Sequence, residues 1–385
     1  MLLDKVPPDG YYTIGNQFYK NKQYALIDAT KKNQEIHWNF HDSTFNQINW
    51  TQRPPGTLSQ LYRERAQQIR DTYDYVTVWF SGGSDSWTVL NSFLSNGIHV
   101  DEVFTSFAFA ARKVVDANIK NTDSANLLSE YEYAALPVLD YVRKNFPNTK
   151  VVVDDSTANY QTNVNEESLL FNNSRTSFMA SHSKFGRQSV YETSVAKKHK
   201  KIAQVLGADK LMFGIENNNF YTWWTDSQGS LEYDENKNME FFFSTPAFPT
   251  ISVLQAHCLK DYFQNIVTTG KLDPTVFLGN RANIIRNIYS QACYPEFNTR
   301  TFQVDKQPGQ IVSRDEFWVK DYNPRHYEKW RSENLALSLL IDKKYHRYDK
   351  NAELVGYRPF TSKKYLISEL QGLTDKQISF MSQII

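Results

Sequence analysis

The chain is 385 residues long, enough to bury a substantial core and to build two or three structural units. Hydrophobic residues make up 41% and charged residues 22%, ordinary for a globular chain, so disorder is not the default expectation for any long stretch. A net charge of +1 excludes the global basic field that draws proteins to nucleic acid without specificity, although a local nucleic-acid contact stays open.

Residues 1–56 read as an N-terminal α+β extension. Met1 to Pro8 lack the apolar core of a signal peptide, and no long uncharged apolar run occurs elsewhere. A cytoplasmic protein with no membrane partner is expected. Ile36, Trp38 and Phe40 alternate with His37, Asn39 and His41, the period of a half-buried strand. Without a cysteine or carboxylate at ligand spacing, the two imidazoles are read as solvent-facing rather than metal-binding.

The punctuated stretch Arg53-Pro54-Pro55-Gly56 opens a second unit, 57–220. Leu58, Leu61, Tyr62, Ile69 and Tyr73 mark an amphipathic helix that also carries Arg63, Arg65 and Arg70. These arginines are either helix-face charge or phosphate contacts. Next, Tyr75 to Phe80 is an apolar, β-branched and aromatic run that reads as a buried strand. It ends in Ser81-Gly82-Gly83-Ser84-Asp85-Ser86, after which Leu90, Phe93 and Leu94 recur at helical spacing up to Asn96-Gly97. Strand, glycine turn and helix together can cradle phosphate, because glycines admit φ > 0 and let N–H groups face an anion at the positive helix end. Both glycines are expected to serve this way, so Gly83→Val should abolish binding. No lysine follows the glycines, which argues against a Walker A loop, and the second glycine of a nucleophile elbow is missing.

Further strand and helix patterns follow. Val100 to Phe107 reads as a second strand, Ser124 to Asn145 as a helix disturbed at Pro137, and Lys150 to Val153 as a third strand. Glu192 to Leu206 reads as a helix ended by Gly207, with Lys197 to Lys201 on its solvated face, and Leu211 to Gly214 as a fourth strand. Such alternation implies an α/β fold, a parallel sheet with helices on both faces. Ligands of these sheets sit at the carboxyl ends of the strands. The glycine loop, Thr105-Ser106-Phe107, Asp154-Asp155 and Gly214-Ile215-Glu216-Asn217 are therefore expected to converge. His182, Lys184 and Arg187 lie in a candidate mobile loop, where a cation could neutralise phosphate charge.

Residues 221–385 read as a strand-rich insertion around Tyr221, Trp223, Trp224, Tyr233 and Phe241-Phe242-Phe243, followed by a mostly helical C-terminal region with helices at Ser252–Thr268, Ala282–Ala292 and Arg325–Leu340. Aromatic residues make up 15% of the chain and are assigned to packing rather than base stacking. Cys258 and Cys293, the two cysteines, have no paired spacing and read as buried thiols, not as a disulfide or metal framework. No residue pattern sets an oligomeric state.

The run Ser81 to Ser86 resembles the S-G-G-x-D-S signature of the PP-loop ATP pyrophosphatase superfamily, whose members include asparagine synthetase, NAD synthetase and PAPS reductase domains. All six positions match. The resemblance implies an adenine nucleotide alpha-hydrolase-like (HUP) fold, with ATP and Mg²⁺ as cofactors. It implies nucleotide contacts from Ser81, Gly82, Gly83, Ser84, Asp85, Ser86, Ser106, Phe107 and Gly214, a metal site at Asp85 and Glu216, and catalytic roles for Asp85, Lys184 and Arg187. Residues 221–385 would select a second small-molecule or macromolecular substrate. The expected activity is adenylation of a carboxylate or carbonyl oxygen with release of pyrophosphate, followed by attack of an amine or ammonia, as in a ligase. The alternatives are a PAPS-reductase-like enzyme with altered chemistry and a non-catalytic nucleotide-binding module. No cysteine follows Cys293 to serve as the C-terminal nucleophile of such reductases, and Met1-Leu2 leaves no N-terminal glutaminase cysteine.

Overall fold

The structure is a computed structural model, and it describes residues 7, 9–107, 109, 128–155, 201–207, 210–226, 238–269, 281–298 and 324–375. The chain begins with a small sheet of β1 (Tyr11–Ile14), β2 (Gln17–Tyr19) and β3 (His37–Asn39), in the order β2-β1-β3, antiparallel throughout. Helix α1 (Lys22–Lys32) connects β2 to β3, and the short helix α2 (Asp42–Phe45) follows. The two histidines of the alternating stretch part company here. His37 is exposed and pairs with Asp42 at 2.9 Å. His41 is buried, has φ +53° and packs edge-on against Phe40 and Phe45, so it does not face solvent as expected.

Helix α3 (Leu58–Thr72) starts in a reciprocal capping box, in which the Thr57 side chain accepts from the Gln60 N–H and the Gln60 side chain accepts from the Thr57 N–H. Its apolar stripe, Leu58, Leu61, Tyr62, Ala66 and Ile69, is buried. Arg65 and Arg70 are structural. Arg65 meets Glu240 at 2.6 Å and donates to the Phe241 carbonyl, whereas Arg70 bonds Asp101 and the Tyr73 carbonyl. Arg63 is exposed.

The central sheet consists of β4 (Tyr75–Trp79), β5 (Glu102–Phe107), β6 (Lys150–Asp155), β7 (Ile202–Leu206) and β10 (Asn238–Phe241). All four pairings are parallel and the order is β10-β7-β4-β5-β6, so these five strands, ranked by sequence, run 3-2-1-4-5 across the sheet. Val76, Val78, Val103, Ala203 and Val205 are fully buried within it, as the continuous apolar runs of a covered parallel sheet require. Each such valine contributes about 1.5–3 kcal/mol of burial. Helix α4 (Ser84–Leu94) leaves β4, and helix α5 (Leu136–Asn145) enters β6. A π-helical turn, Tyr131–Ala135, precedes α5, whose first turn contains Pro137. Proline lacks an N–H and crowds the preceding turn, so the disturbance expected there takes the form of a widened turn.

The sequence expectation fails at the fourth strand. Residues 202–206 form β7 rather than the end of a helix, and 192–200 lie outside the described residues. Residues 212–214 of the run 211–214 belong instead to β8 (Met212–Glu216), which pairs antiparallel with β9 (Asn219–Trp223). Asn217 and Asn218 close this hairpin with φ of +49° and +64°, as a two-residue turn with both residues left-handed demands. With β13 (Tyr365–Glu369) it forms a separate three-stranded sheet, β13-β9-β8.

The C-terminal region contains α6 (Thr250–Thr269), α7 (Arg281–Cys293), α8 (Pro324–Ser338) and the hairpin of β11 (His346–Tyr348) and β12 (Leu354–Tyr357). Ile341 and Tyr357 pack with Leu26 in a separate cluster, while one continuous core links α6, α7 and β13 to the central sheet and to the N-terminal strands. Its aromatic centre, Phe40, Phe45, Trp50, Trp224 and Tyr365, includes the Phe45–Trp224 pair with ring centroids 4.4 Å apart and the stacked Trp50–Tyr365 pair at 4.5 Å. Beside it lies a buried ion pair, Lys22–Asp226 at 2.7 Å, satisfied by the Tyr12 hydroxyl, the Arg358 carbonyl and the Phe360 N–H. Among the described residues, no helix is long and apolar enough to cross a membrane.

Candidate functional site

In this sheet β4 has β5 on one side and β7 on the other, so chain connections depart in opposite directions from that point. The crevice at the carboxyl ends of such neighbouring strands is where open α/β sheets hold ligands. The loop Ser81–Ser86 lies there. Phe80 holds its entry through two bonds: its N–H donates to the Phe104 carbonyl at 2.8 Å, and its carbonyl accepts from Thr105 Oγ1 at 2.6 Å.

The two glycines have different duties. Gly82 has φ +85°, and a Cβ there would come within 2.7 Å of the Ala135 nitrogen. Both the conformation and the π-turn beside it require glycine. Gly83 has φ −74° and serves as the N-cap of α4, so the need for positive φ expected of both holds for Gly82 alone. With no side chain on the cap, the first N–H groups of α4 have no side-chain cap bond, as an anion-binding helix start requires.

The three serines also divide. Ser86 is buried and fastens the loop, its hydroxyl donating to the Gly83 carbonyl at 3.1 Å and accepting from the Ser81 N–H at 3.2 Å. Ser84 shares a hydrogen bond of 3.0 Å with Ser290 of α7. Ser81 is exposed, and its hydroxyl accepts from the Gly83 N–H at 3.2 Å.

Asp85 sits in the first turn of α4, where the helix dipole favours a negative charge. Two groups converge on its Oδ1: the Lys210 ammonium at 2.9 Å and the Tyr294 hydroxyl, which donates at 2.5 Å. Burial, reinforced by the charge of Asp85, pushes the Tyr294 phenol well above its ordinary pKa, so it remains a donor. Lys210 is brought in by the segment after β7. Gly207 starts that segment, and a Cβ on it would stand 2.9 Å from the Asp85 carbonyl carbon and oxygen, so the chain passes tightly over the start of α4.

Behind these groups a buried network fixes α7. Tyr289 donates to Gln255 Oε1 at 2.7 Å, Gln255 donates to the Tyr62 hydroxyl at 2.9 Å, and Tyr62 donates to the Cys293 carbonyl at 2.7 Å. Every member is satisfied, which gives Tyr294 and Ser290 a rigid base. Cys293 is fully buried, whereas Cys258 is half-buried beside Arg53, and burial pushes both thiols up.

Ser106, at the end of β5, donates to Asp154 at 3.0 Å. Burial pushes the Asp154 carboxyl up, with the Ser106 bond opposing and the charge of Asp155 adding. Phe107 is buried, its ring 5.2 Å from that of Tyr131. Gly214 lies in the β8 hairpin, where a Cβ would meet the Trp223 ring at 2.9 Å, so its glycine answers a packing need. Glu216 ends β8 and pairs with Lys364. It belongs to the three-stranded sheet, and Asp85 to the helix leaving the five-stranded one. Lys184 and Arg187, with His182, lie outside the described residues.

Three residues near the loop carry no local sequence signal. Lys210 would have been visible only with β7 in its true place. Tyr294 follows a helix whose contact face carries no motif. Glu130 is buried, and its Oε1 lies 3.7 Å from the position a Gly83 Cβ would take.

Among the described residues, no group of three or more histidine, cysteine or carboxylate side chains could hold a metal. Magnesium needs less from the protein, since it binds through one or two carboxylates together with substrate phosphates and water. An uncapped helix start, an exposed serine, a lysine and one carboxylate therefore fit a polyphosphate with its divalent cation. Comparison with family models, with curated proteins and with solved structures finds no match to the chain.

Proposed function

We propose that the chain is an ATP-binding enzyme of the PP-loop type, with the adenine nucleotide alpha-hydrolase-like form of the α/β fold. It adenylates a carboxylate or carbonyl oxygen of a second substrate and releases pyrophosphate, after which an amine or ammonia displaces AMP. The observation that carries this reading is the meeting of an uncapped helix start, Lys210 and Asp85 beside the switch point of a 3-2-1-4-5 sheet.

Bound there, ATP supplies the α-phosphorus and Mg²⁺ offsets charge on the departing pyrophosphate. The N–H groups of Ser84 to Ser86 and the Ser81 hydroxyl bind the terminal phosphates as a unit. The loop itself carries no lysine to favour loss of the γ-phosphate alone. Asp85 holds the cation, and Tyr294 orients its carboxylate. A second reading, nucleotide binding without turnover, is favoured by one observation: Asp85 is already engaged by Lys210 and Tyr294.

The test is ATP affinity with Mg²⁺, measured by calorimetry for the parent protein and Ser81→Asp. Ser81 is exposed, so the fold should persist, while the added charge should weaken ATP binding about tenfold or more. Equal affinity in the two proteins would remove the loop from the nucleotide site.

A further inference from the structure

We propose that Lys210 is a phosphate-binding residue of this site, held on Asp85 until a polyphosphate takes its ammonium and leaves the carboxylate to a divalent cation. The proposal rests on the polyphosphate-binding reading of the loop and adds to it a residue and an order of events.

Four observations carry it. Lys210 follows the carboxyl end of β7, on the switch-point side where the α4 helix start lies. Gly207, three positions before Lys210, lies tightly against the Asp85 backbone, where a Cβ would stand 2.9 Å from its carbonyl. Its ammonium meets Asp85 at 2.9 Å, on the same oxygen that accepts from Tyr294. It also stands 5.4 Å above the Tyr289 ring, whose face retains a cation near the site when the carboxylate lets go.

The charges then exchange in a defined way. Lysine is a point charge on a flexible stem, suited to changing partners, whereas arginine suits a fixed fork. While Lys210 neutralises Asp85, the helix start faces no uncompensated carboxylate. An arriving polyphosphate offers the ammonium several anionic oxygens as an alternative to the Asp85 carboxylate. Asp85 keeps the Tyr294 hydroxyl and regains its charge toward a cation bound with the phosphates.

The experiment is a double-mutant cycle read by calorimetry, with inorganic pyrophosphate as the probe in EDTA and again with Mg²⁺. Parent protein, Lys210→Gln, Asp85→Asn and the double variant are compared, with thermal melts as a check of folding. Without metal, Asp85→Asn should tighten pyrophosphate binding several-fold, because the competing carboxylate has gone. Lys210→Gln should weaken it about tenfold, the loss of one charge-assisted hydrogen bond. The double variant should bind pyrophosphate more weakly than Asp85→Asn, because the phosphate-binding ammonium is gone, and Mg²⁺ should help the parent but not Asp85→Asn.

If the parent binds pyrophosphate and a folded Lys210→Gln binds it equally, the lysine has no such role while the nucleotide reading stands. If Lys210→Gln fails to fold, Asp85→Asn alone decides, and unchanged or weaker metal-free binding in it overturns the exchange. If the parent binds neither pyrophosphate nor ATP, the nucleotide reading fails and this proposal with it.

Discussion

The Lys210 ammonium lies 2.9 Å from Asp85 Oδ1, joining the chain that leaves β7 to the first turn of α4. This contact spans the point where the strand order reverses, so the pair records the topology of the sheet as well as the charge of the site. Asp85 is the residue on which the reaction proposed above depends.

The two loop glycines should respond differently to alanine. Gly82→Ala places a Cβ at φ +85° and 2.7 Å from the Ala135 nitrogen, and it should cost about 2–4 kcal/mol. Gly83→Ala, at φ −74° with its nearest contact 3.3 Å away, should cost under about 1 kcal/mol. Urea unfolding of the two variants measures the difference; equal losses would contradict the distinction.

Removing one partner of the buried Lys22–Asp226 pair should be severe. Both side chains are 0% exposed, so Lys22→Met leaves a carboxylate without its countercharge at a cost of about 3–5 kcal/mol. The Tyr12 and Phe360 bonds to Asp226 reduce that loss toward the lower end. The double change Lys22→Met with Asp226→Leu should recover part of it in thermal unfolding, and no recovery would mean that packing, not charge, dominates.

Glu102 makes stability depend on pH in a known direction. Burial pushes its carboxyl above the ordinary value, with Lys150 and Tyr75 opposing, so the folded state binds this proton more tightly than the unfolded state does. Its contribution is therefore complete below the ordinary carboxylate range and is lost as pH rises through the folded value. Relative to the parent, Glu102→Gln should be more stable at pH 7 than at pH 4.5. Melting temperatures at the two values test this, and the opposite order would show that the Lys150 pair outweighs burial.

Thiol chemistry should be slow. Burial raises both thiols, and Cys293 is fully enclosed, so iodoacetamide at pH 8 should label Cys258 sluggishly and Cys293 only after denaturation. Mass spectrometry of the labelled peptides gives the result, and rapid native labelling of Cys293 would contradict its burial.

Much of this architecture is legible in the residues. Tyr75 to Asp85 could be read because a buried parallel strand, a glycine turn and a periodic helix each leave a local pattern. The helices at 250–269, 281–293 and 324–338 followed from the same periodicity. The fourth strand is hidden because Ile202 to Leu206 follows a basic run and Gln204 breaks its apolar alternation, so five residues resemble the end of a helix. A usable sign was present in Asn217-Asn218, a pair that favours a two-residue hairpin and so argues against 211–214 as a parallel strand. The Lys210–Asp85 and Tyr294–Asp85 contacts, by contrast, join positions 125 and 209 residues apart. Pairings across such distances are set by packing, which local pattern does not encode.

The products formed from ATP test adenylation most directly. Incubated with ATP labelled at the α and γ positions, Mg²⁺ and a panel of carboxylate and carbonyl acceptors, the protein should yield AMP and pyrophosphate in equal amounts. Asp85→Asn should reduce that turnover far more than it weakens Mg²⁺–ATP binding, since the carboxylate acts on charge that grows in the transition state. Accumulation of ADP and inorganic phosphate that depends on Asp85 would contradict adenylation.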